Sequence, residues 1–219
     1  MAIGAGPYTV SIPIGGHQEI EADLNIPEKP SGLVIFAHGS GSSRFSARNQ
    51  AVAEALVKRG FASLLVDLLT RDEEKLDANS GTYRFDIPRL AERVAAATAW
   101  AAERPEVKDL PCGYFGASTG AAAALTAAAR RPEQVRAIVS RGGRPDLAGD
   151  ALEAVTAPTL LIVGGEDHTV IRLNQEAMLR MRGAVQLEIV PGATHLFGEA
   201  GALEQVQQLA ADWFGRHLA

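Results

Sequence analysis

Short apolar runs alternate with longer amphipathic segments along most of this 219-residue chain. The runs are bounded by Gly or Pro and are rich in Val, Ile, Leu and Phe, as in strands that are buried on both faces of a parallel sheet. The longer segments carry apolar residues at three- and four-residue intervals, which is typical of helices that cover a sheet. We therefore predict a three-layer α/β/α sandwich with a mostly parallel sheet. The predicted strands are residues 33–37, 61–69, 112–117, 135–139, 159–163 and 185–190, and the predicted helices are residues 51–58, 87–102, 120–130, 173–181 and 203–218.

The segment before the first buried run has a different period. Residues 8–14 and 19–26 alternate apolar and polar side chains on either side of Gly15-Gly16, which predicts an antiparallel hairpin at the start of the sheet. No repeat of fixed period and no Gly/Ser or Pro linker divides the chain. We therefore expect a single domain over residues 1–219.

Charge and composition exclude several classes of function. The 26 acidic and 21 basic residues give a net charge of -5, so the cationic surface that binds nucleic acid is not expected. The most apolar stretch, residues 120–129, is about half as long as a membrane-spanning helix. The N-terminal MAIGAGPYTV lacks the features of a secretory signal, and the lone Cys112 cannot build a multi-thiolate metal site. We expect a cytoplasmic protein with no nucleic-acid partner, no membrane contact and no metal.

The sequence Gly116-Ala117-Ser118-Thr119-Gly120 lies between a predicted strand and a predicted helix. This G-x-S-x-G pattern is typical of a sharp strand-to-helix turn that exposes a nucleophilic serine. Glycine is needed at both ends, because the turn brings strand and helix too close together for a Cβ atom. Ligands of open parallel sheets bind beyond the carboxyl ends of the strands, so we expect the other catalytic residues to follow other strands.

A serine hydroxyl needs a base that takes its proton and an acid that orients the base. His195 follows the last predicted strand and is the preferred base, with a polar loop residue as the alternative interpretation. Asp167 follows another strand and is the preferred acid, with Glu166 as its close rival. The order Ser118, Asp167, His195 is the one expected for this type of fold. The other histidines are His17 and His217, expected at the surface, and His38 and His168, near strand ends.

The tetrahedral intermediate of ester hydrolysis carries a negative charge on oxygen, which fixed backbone N–H groups stabilise. One donor is expected to be the N–H of Thr119, the residue after the nucleophile. The other is expected in the segment His38-Gly39-Ser40-Gly41-Ser42-Ser43, where we place it at Ser40. A phosphate-binding loop is the alternative, but the chain contains neither G-x-x-x-x-G-K-[ST] nor G-x-G-x-x-G.

Together the motifs HGSGSSR, GASTG, GGEDH and GATH resemble those of the α/β-hydrolase superfamily, and the small size without a cap segment is most similar to its dienelactone-hydrolase-like branch. The resemblance covers residues 33–218 and implies Ser118, Asp167 and His195 as a catalytic triad, with Ser40 and Thr119 in the oxyanion hole. Dienelactone hydrolases carry a cysteine nucleophile and an acidic residue in the loop after the first parallel strand. This chain has Ser118 and His38-Gly39-Ser40 there, which favours a general serine esterase.

These features predict a carboxylesterase-like serine hydrolase that cleaves small esters through an acyl-enzyme, with no cofactor. A thioesterase or acyltransferase with the same triad, or a non-catalytic binding protein on a hydrolase scaffold, stays open because fold does not fix function. The segment 70–85, with its acidic run Asp72-Glu73-Glu74, is expected to be a solvated loop and the only segment able to cover the serine. Its shortness predicts a shallow site that suits short or exposed esters.

Several polar residues near strand ends allow two interpretations. Arg44, Arg48, Arg141 and Arg144 have the chemistry to bind a substrate carboxylate, but surface ion pairing is the interpretation that we favour. Asp67, at the end of another strand, has the same ambiguity. Cys112 is expected to be a small apolar filler of a buried strand.

Overall fold

The computed structural model describes residues 7–218, so most of the N-terminal segment on which the signal-sequence prediction rests lies outside the described residues. The described strands form a sheet in the order β1-β2-β4-β3-β5-β6-β7-β8. Pairing of β1 with β2 and of β2 with β4 is antiparallel, and pairing from β4 through β8 is parallel. The predicted fold, with its N-terminal hairpin, is therefore confirmed. The strands are β1 Tyr8–Gly15, β2 Gln18–Asn25, β3 Gly32–Ala37, β4 Phe61–Val66, β5 Cys112–Ala117, β6 Ala137–Arg141, β7 Thr159–Gly164 and β8 Val185–Val190.

Helices cover both faces of this sheet. Helices α1 and α6 pack on one face, whereas α3 and α4 pack on the other together with a 3-10 segment. No helix within residues 7–218 is long and apolar enough to cross a membrane. The helices are α1 Ala47–Lys58, α2 Arg71–Ser80, α3 Ile87–Ala102, α4 Thr119–Arg130, α5 His168–Met178 and α6 Ala202–Leu218, and the 3-10 segments are Pro132–Gln134 and Pro145–Ala154.

The central strands are apolar throughout because both of their faces are buried. In β3, Leu33 and Ile35 pack against the layer of α3 and α4. The alternate residues Val34 and Phe36 pack against the layer of α1 and α6. Each such side chain contributes about 1.5–3 kcal/mol when it is fully buried. This double burial holds the carboxyl ends of the strands in fixed positions.

The prediction of a loop over residues 70–85 is wrong because the segment contains helix α2, although Asp72 and Glu74 of the acidic run are exposed as expected. Helix α2 begins after Thr70, whose hydroxyl accepts the N–H of Glu73 at 3.2 Å, while a Glu73 carboxylate oxygen accepts the N–H of Thr70 at 2.8 Å. Glu73 is buried and forms ion pairs with Arg89 at 2.8 Å and Arg93 at 3.0 Å on α3. Burial alone would raise the pKa of Glu73, but the Thr70 N–H and the two guanidinium groups lower it below its usual value. Polar contacts thus fix α2 against α3.

Several predicted boundaries also shift. Strand β4 ends at Val66, three residues before the predicted end, and β6 begins and ends two residues later than predicted. Helix α1 begins at Ala47 because the Ser46 hydroxyl accepts the N–H of Asn49 at 3.4 Å. Helix α5 begins early because the Asp167 carboxylate accepts the N–H of Val170 at 3.4 Å. Capping side chains, which the hydrophobic pattern does not register, set both helix starts.

Candidate active site

Ser118 lies on the sharp turn between β5 and α4. Its backbone has φ 50 and ψ -121, a region that non-glycine residues rarely occupy. A Cβ at Gly116 would lie 2.4 Å from the Ala121 Cα, and one at Gly120 would lie 2.2 Å from the Ala37 carbonyl oxygen. The two glycines are therefore required by close packing, and they hold Ser118 in its strained conformation.

The loops after β7 and β8 bring an acid and a base together. The Nδ1 atom of His195 lies 2.6 Å from the Oδ2 atom of Asp167. The backbone joins the same loops, because the N–H of Glu166 donates to the Ala193 carbonyl at 3.0 Å. The Glu166 side chain itself is exposed. Asp167, rather than its rival Glu166, thus contacts the imidazole.

The end of β6 lies between Ser118 and His195. The N–H of Ser118 donates to the Arg141 carbonyl at 3.3 Å, and a Cβ at Gly142 would lie 3.5 Å from the His195 Cε1. Among the described residues, no hydrogen bond joins the Ser118 hydroxyl to His195. Catalytic hydrogen bonds are often long in the absence of substrate and tighten when substrate binds. The geometry therefore places the serine turn and the imidazole side by side without a formed bond.

The residues expected to build the oxyanion hole line one cavity beside Ser118. A Cβ at Gly39 would lie 3.1 Å from the Ser118 Cβ and 3.8 Å from its hydroxyl oxygen. Ser40 and Thr119 both line the adjacent cavity. Thr119 is the first residue of α4, so its N–H has no acceptor within the helix. Within the described backbone, the N–H of Ser40 also makes no hydrogen bond.

His38 supports the segment that carries Ser40. Its Nε2 atom accepts the N–H of Leu68 at 3.0 Å, which leaves Nδ1 as the protonated nitrogen, 2.9 Å from the Gly39 carbonyl. The side chain is buried, and burial lowers its pKa although the Gly39 carbonyl and Asp67 act in the opposite direction. His38 is therefore a neutral residue whose nitrogens are both engaged with the backbone.

The cavity beside Ser118 has a volume of about 480 Å³. It is lined by α2, α3 and residues 38–43, which we call the oxyanion segment. Sequence reasoning missed Asp77 and Arg84 in its wall. The Nε atom of Arg84 donates to the Asp77 carboxylate at 2.6 Å. Asp77 also accepts the N–H of Tyr83 at 2.7 Å, so it fixes the chain after α2. The capping pattern at Thr70 and Glu73 was the available signal for this helix, because it matches the T-x-x-E box.

Two of the ambiguous arginines form ion pairs. Arg44 is buried and pairs with Asp67, with Glu21 at 2.9 Å and with Asp23 at 3.3 Å. Its backbone N–H also donates to Asp67 at 2.7 Å. Arg144 pairs with Asp146 at 2.7 Å. Asp67 and Arg44 thus stabilise the start of the sheet and are not free to bind a ligand.

Cys112 is the first residue of β5, so it lies at the opposite end of this strand from Ser118. Burial raises the pKa of its thiol to about 12, so it is not a reactive thiolate at neutral pH. Within residues 7–218, no group of three or more His, Cys, Asp or Glu side chains is arranged to hold a metal ion.

The mostly parallel sheet, its antiparallel start and the G-x-S-x-G turn after β5 define the class of this protein, which is that of the α/β-hydrolases. Residues 20–218 match the model of the dienelactone hydrolase family, and the chain belongs to this family of hydrolases. The resemblance inferred from the motifs is confirmed.

Solved structures agree with this assignment. The crystal structure of a dienelactone hydrolase from Anabaena variabilis is 52% identical, covers 98% of this chain and 99% of its own, and superposes with a TM-score of 0.95. Est1E from Butyrivibrio proteoclasticus is 18% identical, covers 95% of this chain and 98% of its own, and has a TM-score of 0.79. The second likeness supports the fold alone.

A curated relative from Mycobacterium tuberculosis is 58% identical over 214 residues and bears the name "Putative phosphoribosyl transferase". The match covers 98% of this chain but 45% of that protein. The chain thus spans about half the length of the curated relatives that it matches. The name describes the longer protein.

Proposed function

We propose that this chain is a carboxylesterase-like serine hydrolase that cleaves small-molecule esters through an acyl-enzyme. The observation that carries the proposal is the 2.6 Å contact between His195 Nδ1 and Asp167 Oδ2 beside the Ser118 turn. An imidazole held by a carboxylate in this way presents Nε2 as a base. Membership in a family of hydrolases supports the same reaction class.

In the proposed mechanism, Ser118 Oγ attacks the ester carbonyl while His195 Nε2 takes the hydroxyl proton. The Asp167 carboxylate accepts a hydrogen bond from the Nδ1–H group and stabilises the imidazolium, while the proton stays on the ring. The N–H groups of Thr119 and Ser40 stabilise the oxyanion. His195 then returns the proton to the leaving alcohol. A water molecule, activated by the same imidazole, cleaves the acyl-enzyme and restores the serine.

The cavity supports a small substrate. Its volume of about 480 Å³ lies near the lower end of the usual range for ligand pockets. Leu68, Leu69 and Leu90 supply apolar wall, whereas Arg84 and the oxyanion segment supply polar wall. Phe45, with 62% of its surface exposed, is also part of the lining. We therefore propose esters with short acyl groups as substrates.

The test is turnover of p-nitrophenyl acetate together with labelling by a fluorophosphonate probe. We expect Ser118→Ala to lose both, because the nucleophile is removed. Ser80→Ala is the matched control, since Ser80 is exposed at the end of α2, outside the cavity lining. Unchanged turnover in folded Ser118→Ala would refute the mechanism. Absence of labelling in the folded wild type would favour a non-catalytic binding protein.

A panel of p-nitrophenyl esters of increasing chain length tests the size of the substrate, and we expect activity to fall as the acyl chain lengthens. Added alcohols and thiols distinguish hydrolysis from acyl transfer, because a transferase forms the new ester or thioester faster than the free acid. A thioester substrate separates the thioesterase alternative. A cytoplasmic location, a single domain over residues 1–219 and the absence of nucleic-acid and membrane partners stay predictions.

A further inference from the structure

Arg141 is a buried cation at the carboxyl end of β6. It pairs with Ala117 of β5 and Ile162 of β7, in the middle of the parallel sheet. Because side chains alternate along a strand, Arg141 shares a face with Val139, which packs in the layer of α1 and α6. Only 8% of Arg141 is exposed. Its guanidinium is therefore enclosed beneath the sheet edge that carries the candidate site.

Arg48 lies in the first turn of α1, the helix that packs on the same face of the sheet as the Arg141 side chain. The charge of Arg48 is close enough to lower the pKa of Arg141, and burial together with this charge brings that pKa to about 10, with burial the larger cause. At a pKa of about 10, Arg141 keeps its charge at neutral pH, so its guanidinium experiences the like charge of Arg48. The N-terminal end of α1 adds partial positive charge of the same sign.

Within residues 7–218, no carboxylate balances the charge of either cation. None of the ion pairs formed within residues 7–218 includes Arg48 or Arg141. In the same part of the chain, Arg141 Nη1 and Arg48 Nε are buried without a hydrogen-bond partner. Buried charges in proteins are normally paired and hydrogen-bonded. The Nε atom of Arg44 also lacks a hydrogen-bond partner, but three carboxylates form ion pairs with Arg44 and balance its charge.

We propose that Arg48 and Arg141 form a binding site for a small oxyanion on the face of the sheet that α1 and α6 cover. Two planar guanidinium groups supply donors in the fork geometry that suits phosphate or carboxylate oxygens. The bound anion satisfies the buried donors and offsets the repulsion between the cations. It also fixes the end of β6, whose Arg141 carbonyl accepts the N–H of Ser118.

This oxyanion site differs from the ester site. Neither arginine lines the cavity that contains Ser40 and Thr119. A free inorganic anion in the oxyanion site therefore leaves room for a neutral ester beside Ser118. An anionic group on the substrate is the second source of the same chemistry, and the experiment separates the two.

The experiment measures the midpoint of thermal unfolding against the concentration of inorganic phosphate, with chloride of equal ionic strength as the reference. We expect a saturable rise in the wild type, because an anion that binds only the folded state stabilises it by mass action. Arg48→Gln and Arg141→Met each remove one guanidinium group. We expect either substitution to lower the apparent affinity for phosphate at least about tenfold, because one charge-assisted contact is lost. Arg136→Gln is the matched control, because Arg136 is an exposed arginine just before β6.

Arg48 is partly exposed, so Arg48→Gln provides the answer if Arg141→Met fails to fold. Equal shifts with phosphate and chloride in the wild type, or wild-type phosphate affinity in Arg48→Gln, would overturn the proposal. The unfolding measurements need no substrate, so they test the oxyanion site even if the esterase proposal fails.

Kinetics identify the source of the anion. p-Nitrophenyl hemisuccinate carries a carboxylate, whereas p-nitrophenyl acetate does not. If phosphate inhibits turnover of the first ester but not of the second, the oxyanion site binds a carboxylate of the substrate. Phosphate binding that competes with neither ester assigns it to a free anion. Either result supports the site, and this comparison alone rests on the proposed function.

Discussion

Two histidines and two aspartates lie at the same edge of the sheet, but their partners differ. His38 and Asp67 follow β3 and β4, whereas Asp167 and His195 follow β7 and β8. In sequence, the two pairs look alike, because each residue comes directly after a buried strand or shortly beyond it. Only the second pair is joined, at 2.6 Å.

The histidines differ in which nitrogens are free. His38 is 6% exposed, and its nitrogens contact the Leu68 N–H and the Gly39 carbonyl. The His195 side chain is 39% exposed, and only its Nδ1 is engaged by a carboxylate. A general base needs a free nitrogen beside the proton that it takes. A position at a strand end is therefore not sufficient to make a histidine a general base. Both ring nitrogens of His38 are hydrogen-bonded to the backbone, so neither is free to take a proton.

The two aspartates also differ in the partners of their carboxylate oxygens. Asp67 accepts the N–H of Arg44 at 2.7 Å and pairs with its guanidinium, so its oxygens stabilise the fold. Asp167 accepts one long backbone hydrogen bond, 3.4 Å from Val170, and otherwise contacts His195. A carboxylate that orients a base must keep an oxygen clear of stronger cations. Asp167 meets this condition, whereas Asp67 does not.

The largest expected effect that distinguishes the two histidines is on catalysis. We expect His195→Asn to lower kcat/KM for p-nitrophenyl acetate by about 10³-fold or more, because no other group replaces the base. Its unfolding midpoint should change little, since the side chain is substantially exposed and has one partner. Steady-state kinetics and thermal unfolding measure the two effects.

His17→Asn is the control for this substitution. His17 is exposed in the β1–β2 turn at φ 60, a conformation that asparagine tolerates well. We expect wild-type activity from this variant. A folded His195→Asn protein that keeps most of its activity would contradict the role of general base that is proposed for His195.

The next effect concerns the acids. We expect Asp167→Asn to lower kcat/KM by about 10²–10⁴-fold, because the amide no longer holds the imidazole in the productive tautomer. Glu166→Gln is the neighbouring control, and we expect near-wild-type activity because its side chain is exposed. The same ester assay measures both variants. A larger loss in Glu166→Gln than in Asp167→Asn would assign the acid to Glu166.

Local patterns predicted much of this arrangement. The apolar runs predicted the central strands because a strand that is buried on both faces is apolar at nearly every position. The G-x-S-x-G motif predicted the Ser118 turn because few residues fit so tight a turn. The pairing of Asp167 with His195 followed from strand order, since both loops leave the same edge of adjacent strands.

Tertiary contacts account for what the sequence did not show. Helix α2 has Leu76 as its one large apolar residue, and that side chain is 60% exposed, so no hydrophobic period marked the helix. Its stability comes from the capping box and from Glu73, whose partners lie on another helix. The state of His38 likewise depends on the N–H of Leu68, which is distant in sequence.

We expect Asp67 to matter for stability and Asp167 to matter for activity. We expect Asp67→Asn to lower the free energy of unfolding by about 1–3 kcal/mol, because a buried charge pair is broken while Glu21 and Asp23 still neutralise Arg44. Asp212→Asn, which disrupts an exposed pair with Arg59, is the control and should cost less than about 1 kcal/mol. Chemical denaturation measures both. Equal losses would mean that the Asp67 pair contributes no more than a surface pair.

The smallest effect is a pH dependence that belongs to His38. Burial lowers the pKa of His38 in the folded state, so unfolding takes up a proton when the pH falls below the ordinary value of about 6.5. Stability from this group is present above that pH and is lost as the pH falls toward the folded-state pKa, by at most about 1.4 kcal/mol per pH unit. His38→Gln removes the titrating group and should flatten the decline of the unfolding midpoint between about pH 6.5 and 5.5. Identical pH profiles in the two proteins would show that His38 accepts a proton in the folded state, against the two backbone contacts that hold it neutral.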